Sequence, residues 1–181
     1  MIRPEFQKIL LDQRGAAVIL WSCFVISIPI YVVIARNVLE NPSIGSNASF
    51  AETARIVLWL LTLVDLGYYV YWRKQNLAAA AILRDARATK LFRALEEFRG
   101  PVEEQAARLV STYVTRKVVI FAIIEAVAVY GFVSAIVGRY LADFYFLCAI
   151  SLALLTIEFP SQRSLGELLR TVQQAPPGGG A

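Results

Sequence analysis

The sequence contains no histidine, and its two cysteines, Cys23 and Cys148, are far apart within apolar stretches. Without imidazole there is no histidine ligand for haem or zinc and no histidine general base. Two isolated thiols match neither a metal-binding cluster nor a disulfide framework. The chain also lacks a phosphate-binding loop, a nucleophile elbow and a paired-histidine motif. We therefore expect a protein that is not an enzyme and that uses no metal or cofactor.

Charged residues are scarce at 18%, whereas apolar residues make up 57% of the 181 positions, far above soluble usage. They form four runs of about 20 residues, the length that crosses the hydrocarbon core as a helix. We expect an all-α, polytopic integral membrane protein with a bundle of four transmembrane helices and a cytoplasmic helical hairpin. The expected segments are an amphipathic interfacial helix over 1–14, a first span over 15–36, an external loop over 37–53, a second span over 54–72, the hairpin over 73–116, a third span over 117–138, a fourth span over 140–158 and a tail over 159–181.

The distribution of basic residues predicts the orientation. Most of the 18 Lys and Arg residues lie near the two ends or in the connector 73–116, and Arg36, Arg55 and Arg139 fall on the other side. The positive-inside bias then gives cytoplasmic N- and C-termini in a cell membrane, the inner membrane in a bacterium. Because the net charge of +4 arises from residues that flank spans, anionic lipid headgroups are expected partners and nucleic acid is not.

The connector between the second and third spans is polar but strongly helix-forming. Leu91, Leu95 and Phe98 form an apolar stripe at helical spacing. The stripe packs either on the opposing arm of the hairpin or on a partner protein, and the sequence leaves both open. With Arg73 and Lys74 at the membrane boundary, it is the predicted partner or lipid interface.

The third span carries a seam of small residues, comprising Ala128, Gly131, Ala135 and Gly138, on one stripe of the helix. Small side chains let a neighbouring backbone approach closely, so we predict that another helix packs on this seam. The seam favours a homo-oligomer or membership of a membrane complex.

Within the same span, residues 123–137, IIEAVAVYGFVSAIV, resemble the carboxylate helix of rotary ATPase proteolipid (c) subunits. In that helix a Glu is followed by small and aliphatic residues and then by Tyr-Gly. The segment is also similar to one in small four-span bacterial membrane proteins of unassigned activity. The resemblance implies a similar helix surface, and with it the alternative of a proton- or cation-handling, proteolipid-like component. The matching positions are Glu125, Ala126, Tyr130, Gly131 and Ala135.

Two acids lie inside predicted spans, Asp65 in the second and Glu125 in the third. Asp65 lies eight residues before Arg73 and Glu125 eight residues after Lys117, so each is roughly 12 Å from the cytoplasmic boundary. Consecutive antiparallel helices are usually neighbours, so the two carboxyls are predicted to meet and share a proton. The predicted hydrogen-bond donors to this pair are Tyr68, Tyr69 and Tyr130.

Two functions follow from these features. The leading one is a non-catalytic scaffold or accessory subunit of a larger membrane assembly, in which the acids stay neutral and tie helices together. The alternative is a proton- or cation-handling, proteolipid-like component that uses Glu125 and Asp65. A lipid-modifying or quinone-linked enzyme comes third, without a motif to support it.

Overall fold

The computed structural model of the chain describes residues 4–40, 48–77 and 101–161, with side chains described over 15–40, 48–77 and 109–161. Every regular element in these ranges is an α-helix, which confirms the all-α prediction. The helices are α1 (Pro4–Leu39), α2 (Ala48–Asn76), α3 (Pro101–Gly138) and α4 (Leu141–Ile157).

Three of these helices have the length and composition of membrane spans. The qualifying stretches are Gly15–Leu39 in α1, Ala48–Asn76 in α2 and Leu109–Gly138 in α3. α4 is also apolar but shorter, with 17 residues. The expectation of a membrane protein with transmembrane helices is met by α1, α2 and α3.

The helices extend beyond the predicted spans. α1 runs unbroken from Pro4, so the segment predicted as a separate interfacial helix continues into the first span. α2 begins at Ala48, inside the predicted external loop, and α3 begins at Pro101, inside the predicted hairpin. Once a helix has formed, each added residue gains one backbone hydrogen bond whether its side chain is apolar or polar. A change from apolar to polar sequence therefore does not end a helix. The central part of the hairpin, 78–100, and residues 162–181 of the tail lie outside the described residues.

The chain divides into two compact units, of which the first comprises Met1–Leu20, Arg73–Val118 and Pro160–Ala181. In this unit Nη1 of Arg116 donates a 2.6 Å hydrogen bond to the carbonyl oxygen of Asn76, the last residue of α2. The bond satisfies a carbonyl that has no partner within its own helix. Nζ of Lys117 lies 5.9 Å from the ring centre of Tyr113, and both residues are buried.

The second unit, Trp21–Trp72 and Val119–Phe159, contains the apolar centre. Among the three long apolar helices α3 is the most enclosed, with 44% of its apolar 18-residue window buried against 11% of the corresponding window in each of α1 and α2. α3 and α4 are antiparallel, since Ser151 Oγ donates to the Ile124 carbonyl at 3.0 Å whereas Phe144 lies beside Gly131. The fully buried aliphatic and aromatic side chains of these two helices include Phe121, Ile124, Val127, Phe144, Leu147 and Leu155.

α1 and α2 pack on this pair. In α1, the ring of Phe24 lies 6.0 Å from that of Phe121, and Tyr31 lies 5.2 Å from Phe132, so α1 is parallel to α3. The indole N–H of Trp21 donates to the carbonyl of Leu155 in α4 at 2.8 Å. α2 is parallel to α4, because contacts pair its beginning with the beginning of α4 and its later part with the end of α4. The four directions therefore alternate along the chain within this unit.

A two-residue turn joins α3 to α4. Arg139 has φ 57°, the left-handed conformation, and its N–H donates to the carbonyl of Ala135 at 3.0 Å. This is the geometry of a helix C-cap, which glycine usually occupies. The ring of Tyr140 lies where a β-carbon on Gly138 would be, so Gly138 is needed by the turn rather than by a neighbouring helix.

Candidate functional site

Asp65 is bound by a tyrosine of another helix. The Tyr130 hydroxyl on α3 donates to Oδ2 of Asp65 on α2 at 2.8 Å, and both residues are half-buried. A carboxyl in a membrane span is costly unless it is protonated or bonded, and the phenol supplies that bond. Of the three predicted donors, Tyr130 is the one that the structure brings to Asp65.

Glu125 is bound by Tyr31, a residue that the sequence analysis did not connect with it. The Tyr31 hydroxyl on α1 donates to Oε1 of Glu125 at 2.8 Å. Its ring also stacks on Phe132, with centres 5.2 Å apart and planes at 29°. Glu125 and Phe132 are seven residues apart and therefore lie on one face of α3. Tyr31 is thus held at its ring by Phe132 and at its hydroxyl by Glu125.

The two carboxyls face different helices. Glu125 and Tyr130 are five residues apart, which puts them about 140° apart around the axis of α3. One side of α3 therefore presents Glu125 to α1, and another presents Tyr130 to Asp65 of α2. Among the described residues no hydrogen bond joins Asp65 to Glu125. Each acid has its own tyrosine, and the sharing of one proton between the acids stays a prediction.

Tyr69 and Tyr68 have other roles than donation to Asp65. The Tyr69 hydroxyl donates to Oε1 of Glu158 at 2.8 Å, and only 1% of Glu158 is exposed. The Tyr69 hydroxyl is therefore bonded to Glu158 and not to Asp65. Tyr68 is exposed, and its ring lies 5.7 Å from that of Trp72.

A further cluster near the beginnings of α2 and α4 contains Arg55, Trp59 and Asp143. Nε and Nη2 of Arg55 donate to the two carboxylate oxygens of Asp143 at 2.6 and 3.1 Å. The indole N–H of Trp59 donates to Asp143 at 3.2 Å, and the guanidinium carbon of Arg55 lies 4.6 Å from the ring centre of Tyr140. The sequence does carry a signal for this pair, since Arg55 and Asp143 are opposite charges near the same end of their spans.

Comparison with protein families, curated proteins and solved structures gave no match to this chain. The resemblance of residues 123–137 to proteolipid subunits stays a prediction that rests on those residues alone. Its two polar members, Glu125 and Tyr130, bind side chains of two different helices.

The small-residue seam is covered within the chain. Ala128 and Ala135 are fully buried, and a β-carbon on Gly131 would lie 3.0 Å from Cβ of Leu147 and 3.2 Å from the carbonyl oxygen of Phe144. The helix that packs on the seam is therefore α4 of the same chain. Since α4 occupies it, the seam gives no surface for a second copy.

The remaining predicted positions lie at or beyond the end of α2. Arg73 and Lys74 are exposed in its last turn, where basic side chains suit the negative end of a helix dipole. Leu91, Leu95 and Phe98 lie outside the described residues. Within the described ranges no group of three Cys, Asp or Glu side chains is close enough to hold a metal ion.

Proposed function

We propose that the chain is a four-span membrane protein that acts without catalysis, as a scaffold or accessory subunit of a larger membrane assembly. α4 is the proposed fourth span. Its 17 residues cover about 26 Å, close to the roughly 30 Å of hydrocarbon. It also runs antiparallel to α3, as a returning span must. With four spans, the basic N-terminus, hairpin and C-terminus lie together in the cytoplasm.

The main support for this proposal is that acidic side chains link the helices to one another. Four acids in the spans or at their ends accept hydrogen bonds from a side chain of another helix. The pairs are Asp65 with Tyr130, Glu125 with Tyr31, Asp143 with Arg55 and Glu158 with Tyr69. Polar side chains that bond across helices hold membrane bundles together. The geometry thus gives each acid a structural role that needs no transported ion.

The surfaces for partners are the outer faces of α1 and α2 and the proposed cytoplasmic hairpin. Both helices expose large apolar side chains, such as Ile19, Val33 and Val64. These faces suit lipid, a second copy or another membrane subunit. The hairpin supplies a surface in water, with Arg73 and Lys74 near the anionic headgroups.

Proton or cation handling by Glu125 and Asp65 is the second candidate. The observation in its favour is that each carboxyl is half-buried and is bonded to a neutral phenol, with no Lys or Arg in salt-bridge range among the described residues. A carboxyl at such a position inside a span is the kind of group through which membrane proteins take up and release protons.

Amide variants separate the two candidates. Glu125→Gln and Asp65→Asn keep an oxygen that accepts from the tyrosine but cannot titrate. For a scaffold, both variants should copurify with the wild-type partners in mild detergent and give the wild-type mass. Glu125→Leu and Asp65→Leu should each lose about 0.6 kcal/mol of unfolding free energy, and at most about 1.7 kcal/mol, the average and the maximum measured for hydrogen bonds between membrane helices.

The same variants are then tested in liposomes for proton uptake and by infrared titration of the carboxyl band. Uptake by the wild type that disappears in Glu125→Gln, while the assembly stays intact, would reject the scaffold in favour of the second candidate. The scaffold function would also be rejected if the wild-type protein were monodisperse and free of partners in mild detergent.

A further inference from the structure

One face of α2 carries an open cleft of about 330 Å³ near the beginning of the helix. Its lining residues follow the spacing i, i+3, i+4, i+7, i+8 and i+11, which defines a single stripe of a helix. The stripe is polar at one end and apolar further along the span. In order along the helix the lining consists of Glu52, Arg55, Ile56, Trp59, Leu60 and Leu63.

The cation at the polar end is fixed in place. Arg55 uses Nε and Nη2 for Asp143, and the ring of Tyr140 lies 4.6 Å from its guanidinium carbon. Nη1 has no hydrogen-bond partner among the described residues, and 44% of the Arg55 side chain is exposed. A guanidinium held in this way loses little side-chain entropy when it binds an anion. It is a preorganised donor at the end of a membrane span.

Glu52 lies one helical turn before Arg55, so the β-carbons of the two residues are about 5 to 6 Å apart. Glu52 is exposed, and its charge acts on Arg55 without a hydrogen bond or a salt-bridge contact within the described part of the chain. The polar end of the cleft therefore offers a cationic donor and an anionic acceptor side by side.

The apolar end continues from this pair toward the middle of the span. Ile56, Leu60 and Leu63 are 58%, 57% and 61% exposed. Trp59 lies between the two ends, and its indole is fixed by the hydrogen bond to Asp143. Tryptophan and arginine at this position are typical of the boundary between headgroups and hydrocarbon.

We propose that this cleft binds a phospholipid whose headgroup carries both a phosphate and a primary ammonium, as phosphatidylethanolamine does. Arg55 donates to the phosphate, and the ammonium donates to the Glu52 carboxylate. One acyl chain lies along Ile56, Leu60 and Leu63. A choline headgroup has no N–H for Glu52, and a glycerol headgroup has no cation for it. The inference rests on α2 crossing the membrane and not on the scaffold function.

The test is lipid retention measured by native mass spectrometry. The full chain is released from nanodiscs that contain equal amounts of phosphatidylethanolamine, phosphatidylcholine and phosphatidylglycerol with the same acyl chains. We expect the wild type to retain phosphatidylethanolamine at least about tenfold over the other two, which corresponds to about 1.4 kcal/mol. Glu52→Gln should lower this preference toward parity. Glu40→Gln, which changes an exposed acid just after α1, should keep it.

Two further variants address the other parts of the cleft. Arg55→Lys retains the charge but loses the fork of donors, so phospholipid retention should fall, whereas the matched Arg36→Lys should leave retention unchanged. Leu60→Trp fills the apolar end without touching the Arg55–Asp143 pair and should reduce retention of all three lipids at this site.

Several results would overturn the proposal. Equal retention of phosphatidylethanolamine and phosphatidylcholine by the wild type would reject the ammonium contact, and unchanged retention by Leu60→Trp would reject the acyl contact. Soluble phosphoethanolamine is the probe for a site that binds a headgroup alone, and affinity equal to that of the lipid would reject a phospholipid site. If the wild type formed a dimer without lipid and Leu60→Trp dissociated that dimer, the cleft would be assigned to a second copy of the chain.

Discussion

The contact between α3 and α4 at Gly131 can be tested with a single methyl group. In Gly131→Ala the added β-carbon would lie 3.0 Å from Cβ of Leu147, 3.2 Å from the carbonyl oxygen of Phe144 and 3.3 Å from its Cα. Two of these three atoms belong to the backbone of α4. Rotation of a side chain cannot relieve such contacts, so α4 must move away from α3.

Gly67→Ala is the matched control. A β-carbon on Gly67 meets nothing within 4 Å, and Gly67 lies inside α2 as Gly131 lies inside α3. Both variants gain about 0.5 to 1 kcal/mol because alanine is the better helix former. Only Gly131→Ala overpacks an interface, which costs about 1 to 3 kcal/mol. Since both variants share the gain, we expect Gly131→Ala to have a lower free energy of unfolding than Gly67→Ala by the overpacking cost of about 1 to 3 kcal/mol.

The measurement is the free energy of unfolding of the purified protein in mixed micelles, with the denaturing detergent titrated and helicity followed by circular dichroism. The wild type and both variants are compared in the same lipid and detergent. Equal free energies for Gly131→Ala and Gly67→Ala would refute the close packing of α4 on the small-residue seam.

Two more predictions use the same assay. Tyr69→Phe should lower the unfolding free energy by about 1 to 3 kcal/mol, because the buried carboxyl of Glu158 loses a donor. Tyr68→Phe, which changes the neighbouring but exposed tyrosine, should have no effect, and equal losses in the two variants would contradict the Tyr69–Glu158 bond. Arg139→Gly should be more stable than Arg139→Ala by about 1 kcal/mol of unfolding free energy. Both variants remove the arginine side chain, but only alanine still has a β-carbon that is strained in the left-handed conformation. The reverse order of stability would contradict the positive φ of the turn.

The helices could be predicted from the sequence because hydropathy and length determine them. The expected spans over 15–36, 54–72, 117–138 and 140–158 all fall within or nearly within helices of the structure. The ends of the helices could not be predicted in the same way. Apolar composition marks where a helix meets lipid, whereas a helix ends only where its backbone hydrogen bonds end, and α1 and α3 continue well past the apolar stretch.

The hydrogen-bond partners of Asp65 and Glu125 were harder to predict than the positions of these two acids within the spans. The positions of Asp65 and Glu125 along their helices were compared by distance from the membrane boundary, which ignores rotation about the helix axis. In the structure the rotation decides the partner, because Glu125 faces α1 and Tyr130 faces α2. The Tyr31–Glu125 bond joins residues 94 positions apart, and no local pattern in the sequence records such a bond.

The turn formed by Arg139 and Tyr140 also bears on how the protein is made. On the proposed topology the ribosome releases α1 and α2 into the membrane before α3 and α4. Among the described residues of the second unit, the side-chain hydrogen bonds that α1 and α2 make to other helices go to α3, α4 and the residue directly after α4. If α4 is the fourth span, a connection this short favours the entry of α3 and α4 into the membrane as one hairpin, with Arg139 carried across at its tip. On that topology Asp65 and Tyr31 remain in lipid without their final partners until α3 and α4 have been synthesised.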